Sequence, residues 1–387
     1  MEHLLNPLVK DIQISGIRQF FNMIQEYDDL VSLTIGQPDF PTPSLVKEAG
    51  KRAITENITG YTPNAGLLET RKAACKFVKE RYQQEYDPYD EVIVTIGASE
   101  AIDIAFRTIL EPGTEVILPA PIYPGYEPII RLCGAKPVLV DVRETNFKLT
   151  KEALEAAITE RTRCVVLPYP SNPTGATLNH NELEQIATVL QDKDIFVLSD
   201  EIYSELVYDK NHESIVQFPN MRNKTIVING LSKSHAMTGW RIGFLFAPRY
   251  LTKQIIKVHQ YNVSCASSIS QYAATEALTV AKDAPLMMRN QYKKRRDYVY
   301  NRLTNMGLHV ELPTGAFYLF PYIGQFGKTS FDFALQLVKE ARVAIVPGNA
   351  FSQYGEGYLR ISYAYSMEEL KEACDRIEQF LTKQKRG

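Results

Sequence analysis

Short runs of predominantly apolar residues, continuous and not alternating, recur along the chain at 92–96, 116–118, 164–167, 195–198 and 225–228. Runs that are apolar at every position, rather than at every second one, predict strands covered on both faces. Each run is followed by a loop and then by helical spacing. After the first, Ile102, Ala105, Phe106 and Ile109 fall at i, i+3, i+4 and i+7, the stripe of an amphipathic helix that stops at Pro112-Gly113. Repeated strand, loop and helix units predict an α/β fold with a mostly parallel sheet. A long helical stretch over 281–302 ends this regime. Beyond it come GAFYLF (315–320), VAIVPG (343–348) and YLRISYAYS (358–366), which read as strands, and a final helix over 367–381 with Leu370, Ala373, Ile377 and Phe380 on one face. The tail KQKRG reads as solvated. The change of pattern predicts a second, smaller unit, packed closely on the first because no Gly/Ser-rich linker separates them.

A length of 387 residues agrees with two units, since it exceeds what one hydrophobic core usually organises. Composition narrows the partners. A formal charge of -2 gives no electrostatic reason to bind nucleic acid or an anionic membrane, so small molecules are the expected ligands. Five scattered cysteines without a CxxC spacing predict reduced thiols and neither a disulfide framework nor a metal site. The amino-terminal segment lacks the pattern of a signal peptide, and no run reaches the ~18 apolar residues of a membrane span. A cytoplasmic protein is expected.

In a parallel α/β sheet, ligands bind beyond the carboxyl ends of the strands. The candidate motifs all fall at such ends: GAS (97–99), YPSNPTG (169–175), Asp200 in SDEIYSEL (199–206), and GLSK (230–233) leading into SKSHAMTGWRIG (232–243). An arbitrary lysine is a solvated loop residue. Lys233, between NGLSK and TGWRIG, instead reads as a cleft amine able to form a Schiff base with an aldehyde cofactor and then to move a proton as base and acid. Asp200 closes an apolar run, where a carboxylate is costly to bury without a cation; a protonated pyridine nitrogen supplies one, and the bland alternative is a helix N-cap before EIYSEL. Tyr203 and Asn172 suit hydrogen bonds to the same cofactor's ring oxygen. Phosphate calls for amides and a cation. Gly97, Ala98 and Ser99 open a helix, whose free N–H groups favour anions, while Arg241 adds a guanidinium and Ser232 a hydroxyl. Tyr123 can stack on the ring. Arg360, on one face of an alternating strand, suits a substrate α-carboxylate that the backbone at Gly36 also approaches. The ordered set specifies pyridoxal phosphate chemistry. His235 and Trp240 read as structural.

These stretches, with GQPDF (36–40), YTPNAG (61–66), IYPGY (122–126) and LRISYAYS, resemble the fold-type I pyridoxal phosphate aminotransferases of the class I/II group over essentially the full chain. The resemblance implies a seven-stranded, mainly parallel sheet in a large domain over 33–281. It implies a small α+β domain from both chain ends, with 1–32 as an arm and part of it and 282–387 as the rest. It further implies a homodimer with shared active sites, in which Tyr61 reaches the phosphate of the other subunit's cofactor. Within the family, ISGIRQF (14–20), YPSNPTGATL (169–178) and VHQYNVSCASSISQ (258–271) are most similar to the branch acting on N-acetylated diaminopimelate in lysine biosynthesis, with glutamate as amino donor. A substrate of that kind has a distal carboxylate, for which Arg18 is the candidate. Relatives place serine three residues before the lysine; this chain has Gly230 there, which shifts expected phosphate contacts to Ser232. Aromatic or broad-specificity amino transfer, cysteine-conjugate β-lysis and a noncatalytic cofactor-sensing role stand as alternatives. The last needs a DNA-binding module, and no basic region precedes GQPDF.

Overall fold

The computed structural model describes residues 1–384; the last three residues of the KQKRG tail, expected to be solvated, lie outside the described residues. The strands are β1 (Val31–Ser32), β2 (Val92–Thr95), β3 (Glu115–Ala120), β4 (Lys136–Asp141), β5 (Thr162–Leu167), β6 (Phe196–Asp200), β7 (Thr225–Gly230), β8 (Gly243–Phe246), β9 (Tyr318–Leu319), β10 (Val343–Ala344), β11 (Val346–Pro347) and β12 (Leu359–Ser362). Seven of them form one sheet in the order β2-β8-β7-β6-β5-β3-β4. Only β8 runs against its neighbours.

The uninterrupted apolar runs are explained by burial on both sides. In β3, Val116 and Leu118 join Ile104, Phe106, Val166 and Leu198 on one face, while Ile117 joins Phe77, Val165, Val197 and Phe244 on the other. The period of two thus splits each run between two cores, and each fully buried side chain of this kind contributes about 1.5–3 kcal/mol. The helix Gly97–Ile109 lies on the first face, with Ile102, Ala105, Phe106 and Ile109 buried as its spacing predicts.

A third core joins both chain ends. Phe20, Ile24 and Leu33 pack with Phe317, Leu359, Ile361, Leu370, Ile377 and Phe380. Around it, β11-β12-β9 form an antiparallel sheet and β1 pairs in parallel with β10. Tyr203 and Leu206, which follow β6, belong to this core as well. The two regions therefore meet where β6 ends.

Three local expectations are corrected. EIYSEL forms turns, so Asp200 caps no helix. Arg360 lies on a strand as expected, but β12 does not alternate in burial, because all four of its positions are buried. GAFYLF contributes only the two residues of β9 as strand. Among the described residues no helix is long and apolar enough to cross a membrane, and all five cysteines are free thiols.

Candidate active site

A cavity of about 810 Å³ lies at the carboxyl ends of the central strands, against β12 and the helix Gly16–Ile24. Gly36, Ala98, Ser99, Tyr123, Asn172, Asp200, Tyr203, Ser232, Lys233, Arg241, Arg360 and Arg18 all line it, and Gly97 abuts it through Arg241. Tyr61 does not: it is 93% exposed.

Lys233 follows β7, and its amine donates to the Gly36 carbonyl at 2.6 Å. Burial first, then the guanidinium groups of Arg360 and Arg241, push its pKa from the ordinary 10.5 to about 8, against the opposing pull of Asp200. Asp200 ends β6 and is buried. Its carboxylate accepts from the Tyr126 hydroxyl at 2.6 Å and from the Ile202 N–H at 3.1 Å. Burial raises its pKa, the hydrogen bonds and the charge of Lys233 lower it, and among the described residues no salt bridge reaches it. The neighbouring Glu201 points the other way, accepting from Ser199 at 2.9 Å and Gln84 at 2.8 Å beneath the sheet edge. Of two adjacent acids, one alone faces the cavity.

Arg360 is 2% exposed and, among the described residues, has no carboxylate partner. Its guanidinium donates to Asn172 Oδ1 at 3.0 Å and to the Thr34 carbonyl, and lies 4.6 Å from the ring centre of Tyr318 and 4.9 Å from that of Phe351. Its Nε is buried with no hydrogen-bond partner. Asn172 thereby turns its oxygen to Arg360 and keeps its NH2 without a protein partner among the described residues. Tyr203, expected to face a cofactor oxygen, here shares a 2.7 Å hydrogen bond with the hydroxyl of Tyr318.

At the other wall, Gly97 has φ +72, and a Cβ there would fall 2.8 Å from the Arg241 guanidinium. A Cβ on Gly243 would likewise fall 2.6 Å from the Gly97 carbonyl carbon. Two bare glycines let Arg241 and the start of the helix Gly97–Ile109 converge, placing a cation beside free N–H groups. Tyr123 is part-exposed, with its ring edge-on to Tyr126 at 5.6 Å. His235 is fully buried and bonded to Ser234 at 2.9 Å, and Trp240 donates to Thr42 at 3.1 Å, as structural residues do.

The donor set fits pyridoxal phosphate. A desolvated amine, an unanswered buried carboxylate, an amide cradle with a guanidinium, and a second guanidinium with an orphaned N–H correspond in turn to its aldehyde, ring nitrogen and phosphate and to a substrate carboxylate. Sequence reasoning missed Tyr126, although it stands in IYPGY, and also Tyr318 and the Thr34 carbonyl.

Residues 28–377 match the family described as aminotransferase class I and II. Over 385 residues the chain is 62% identical to a protein named probable N-acetyl-LL-diaminopimelate aminotransferase in Bacillus subtilis (strain 168), covering 100% of this chain and 98% of that one. It is 41% identical over 386 residues to aromatic-amino-acid aminotransferase 2 of Thermococcus litoralis, covering 98% of this chain and 99% of the other. A solved aspartate aminotransferase from Rhizobium meliloti matches with a TM-score of 0.94 at 37% identity, over 98% of each chain.

Proposed function

From the premise that the chain belongs to the class I and II aminotransferases, which are pyridoxal phosphate enzymes, we propose that it moves an amino group between glutamate and N-acetyl-2-amino-6-oxopimelate, forming N-acetyl-LL-2,6-diaminopimelate for lysine biosynthesis. The 62% identity over the full chain to the Bacillus subtilis protein carries this choice of substrate.

When bound, pyridoxal phosphate supplies an aldehyde that takes up the amino group and a ring that accepts the electrons released at Cα. The chain's own residues do the rest. Arg241, Ser232 and the amides of Gly97, Ala98 and Ser99 would hold the phosphate. Asp200 would hold the proton on the ring nitrogen, with Tyr126 fixing the orientation of its carboxylate. Asn172 and Tyr203 would donate to the ring oxygen, and Tyr123 would cover the ring. Arg360 and the Gly36 backbone fix the substrate α-carboxylate, which directs the Cα–H toward Lys233. With its pKa near 8, Lys233 carries enough neutral amine to take that proton and return it.

Charge supports a dicarboxylic substrate. Four cations line the cavity, Arg18, Lys233, Arg241 and Arg360, against one carboxylate, Asp200. Phosphate, aldehyde and α-carboxylate account for three; Arg18 remains, with no side-chain partner among the described residues. We assign it to the distal carboxylate. Arg18→Ala is expected to lower kcat/KM about tenfold for glutamate and the oxopimelate while leaving alanine nearly unaffected, which initial rates with the three substrates will measure.

The chain is further proposed to act in the cytoplasm as a homodimer. The 93% exposure of Tyr61 supports its assignment to the phosphate of a second copy. The functional reading is tested by the visible absorbance of the purified protein. Glutamate should abolish the aldehyde-form band, and N-acetyl-2-amino-6-oxopimelate should restore it. Restoration by aromatic keto acids alone would overturn the substrate assignment in favour of aromatic amino transfer.

A further inference from the structure

Tyr318 stands at the junction of three parts of the site, and nothing in the chemistry above uses it. Its hydroxyl is 2.7 Å from that of Tyr203, and its ring lies under the Arg360 guanidinium, 4.6 Å away. The same hydroxyl sits where a side chain at position 36 would begin: a Cβ on Gly36 would fall 2.3 Å from it. Tyr203 and Tyr318 are both buried. Tyr203 is the only hydrogen-bond partner of the Tyr318 hydroxyl among the described residues.

Each phenol carries one proton, so the direction of the shared bond matters. Were Tyr203 the donor, it would have no proton left for an oxygen in the cavity. With Tyr318 as donor, the Tyr203 proton is free for that oxygen, and the bond received makes Tyr203 a stronger donor. The guanidinium decides between the two. A cation over an aromatic face withdraws electron density from the ring, making the attached hydroxyl a better donor and a poorer acceptor. Arg360, from β12, is the cation that lies over the Tyr318 ring. Arg360 and Asp200 also act on Tyr203, and Lys233 lies 5.8 Å from its ring centre, farther than the 4.6 Å between the guanidinium and the Tyr318 ring; Tyr123 faces Tyr318 from the loop after β3. Burial holds both phenols above their ordinary pKa, so both keep their protons at neutral pH.

We infer that Tyr318 is a positioning residue that directs the Tyr203 proton to the cofactor's ring oxygen and makes that bond sensitive to whether a carboxylate occupies Arg360. A bound carboxylate neutralises the cation over the Tyr318 ring and relaxes the pull. The inference rests on the cofactor site described under the proposed function.

The test uses the holoenzyme and the variants Tyr318→Phe, Tyr203→Phe and the double variant. The pH midpoint of the cofactor's visible band is recorded with and without saturating succinate, a dicarboxylate that lacks an amine. Tyr318→Phe keeps the ring under Arg360 and removes only the hydroxyl. It should raise the midpoint by about half a unit to one unit and at least halve the further shift caused by succinate. In the Tyr203→Phe background it should change neither. Gly36→Ala, which displaces the same hydroxyl by another route, should move the midpoint in the same direction. A Tyr318→Phe enzyme that titrates like the parent, or an effect that persists without the Tyr203 hydroxyl, overturns the inference. If the parent band fails to respond to glutamate, the cofactor-site reading fails instead.

Discussion

Lys233→Ala is expected to reduce amino transfer by roughly 10⁴-fold or more, because the substitution removes both the amine that captures the cofactor and the base that moves the Cα proton. Purified protein should still bind the cofactor through Arg241 and the amides at Gly97 to Ser99, so loss of rate with retained phosphate binding separates this outcome from misfolding. The pH dependence follows from the site. At pH 7 a lysine at 10.5 is neutral in about three molecules in ten thousand, and one at about 8 in roughly one in ten. Uptake of the aldehyde by cofactor-free protein should therefore rise with pH through about 8 and level off above it. Stability carries the same signature. A folded pKa below the unfolded one means that the unfolded chain binds more protons between about 8 and 10.5, so cofactor-free protein gains stability as pH rises through that window and loses it as pH falls through 8. In Lys233→Met this slope should vanish. Denaturant midpoints at pH 7.5 and 9.5 for parent and variant measure it, and equal slopes would show that the amine is not desolvated.

Why the lysine was legible in the sequence, while some of its neighbours were not, has a physical reason. A strand covered on both faces must be apolar throughout, so β2, β3, β5, β6 and β7 stand out as runs, and the polar residues that end them mark the sheet edge where ligands bind. Lys233, Asp200 and Asn172 were found in this way. The strand β4 escaped notice because it is an edge strand, only half-buried and interrupted by Pro137. β8 escaped because it directly follows the motif that drew attention to Arg241. Tyr126 and Tyr318 are a different case. The chain has 22 tyrosines, and a hydroxyl that meets Asp200 at 2.6 Å bears the same local pattern as one that packs in a core. Their roles depend on contacts across 74 and 115 positions of sequence. Arg360 was recognised for a partly mistaken reason. It was assigned to one face of an alternating strand, whereas both faces of β12 are covered, and that complete burial is what leaves its Nε unpaired.

Replacing Asp200 tests the same logic with opposite signs in the two states of the protein. Burial raises the pKa of this carboxylate, and among the described residues no cation is in salt-bridge contact with it, Lys233 opposing the shift only weakly. An acid whose folded pKa is raised favours folding fully below its unfolded value, near 3.8, and loses that contribution as pH climbs through the folded value. At neutral pH the cofactor-free protein thus bears the cost of a buried charge that Lys233 only partly offsets. Asp200→Asn removes the charge and retains an oxygen for the Tyr126 hydroxyl, so it should raise the melting temperature of cofactor-free protein by a few degrees. With pyridoxal phosphate bound, the effect reverses. The carboxylate gains the ring nitrogen's proton as its partner, and an amide cannot hold that proton. Removing one member of a buried charge pair costs about 3–5 kcal/mol, so kcat should fall roughly 10³-fold and the gain in melting temperature on adding cofactor should shrink. Calorimetry of both forms with and without cofactor reads the two signs in one experiment. A variant destabilised in both states would mean that Asp200 is held in place for packing and not for its charge. Stabilisation without cofactor together with loss of rate would mean that the fold tolerates this carboxylate because the cofactor answers it.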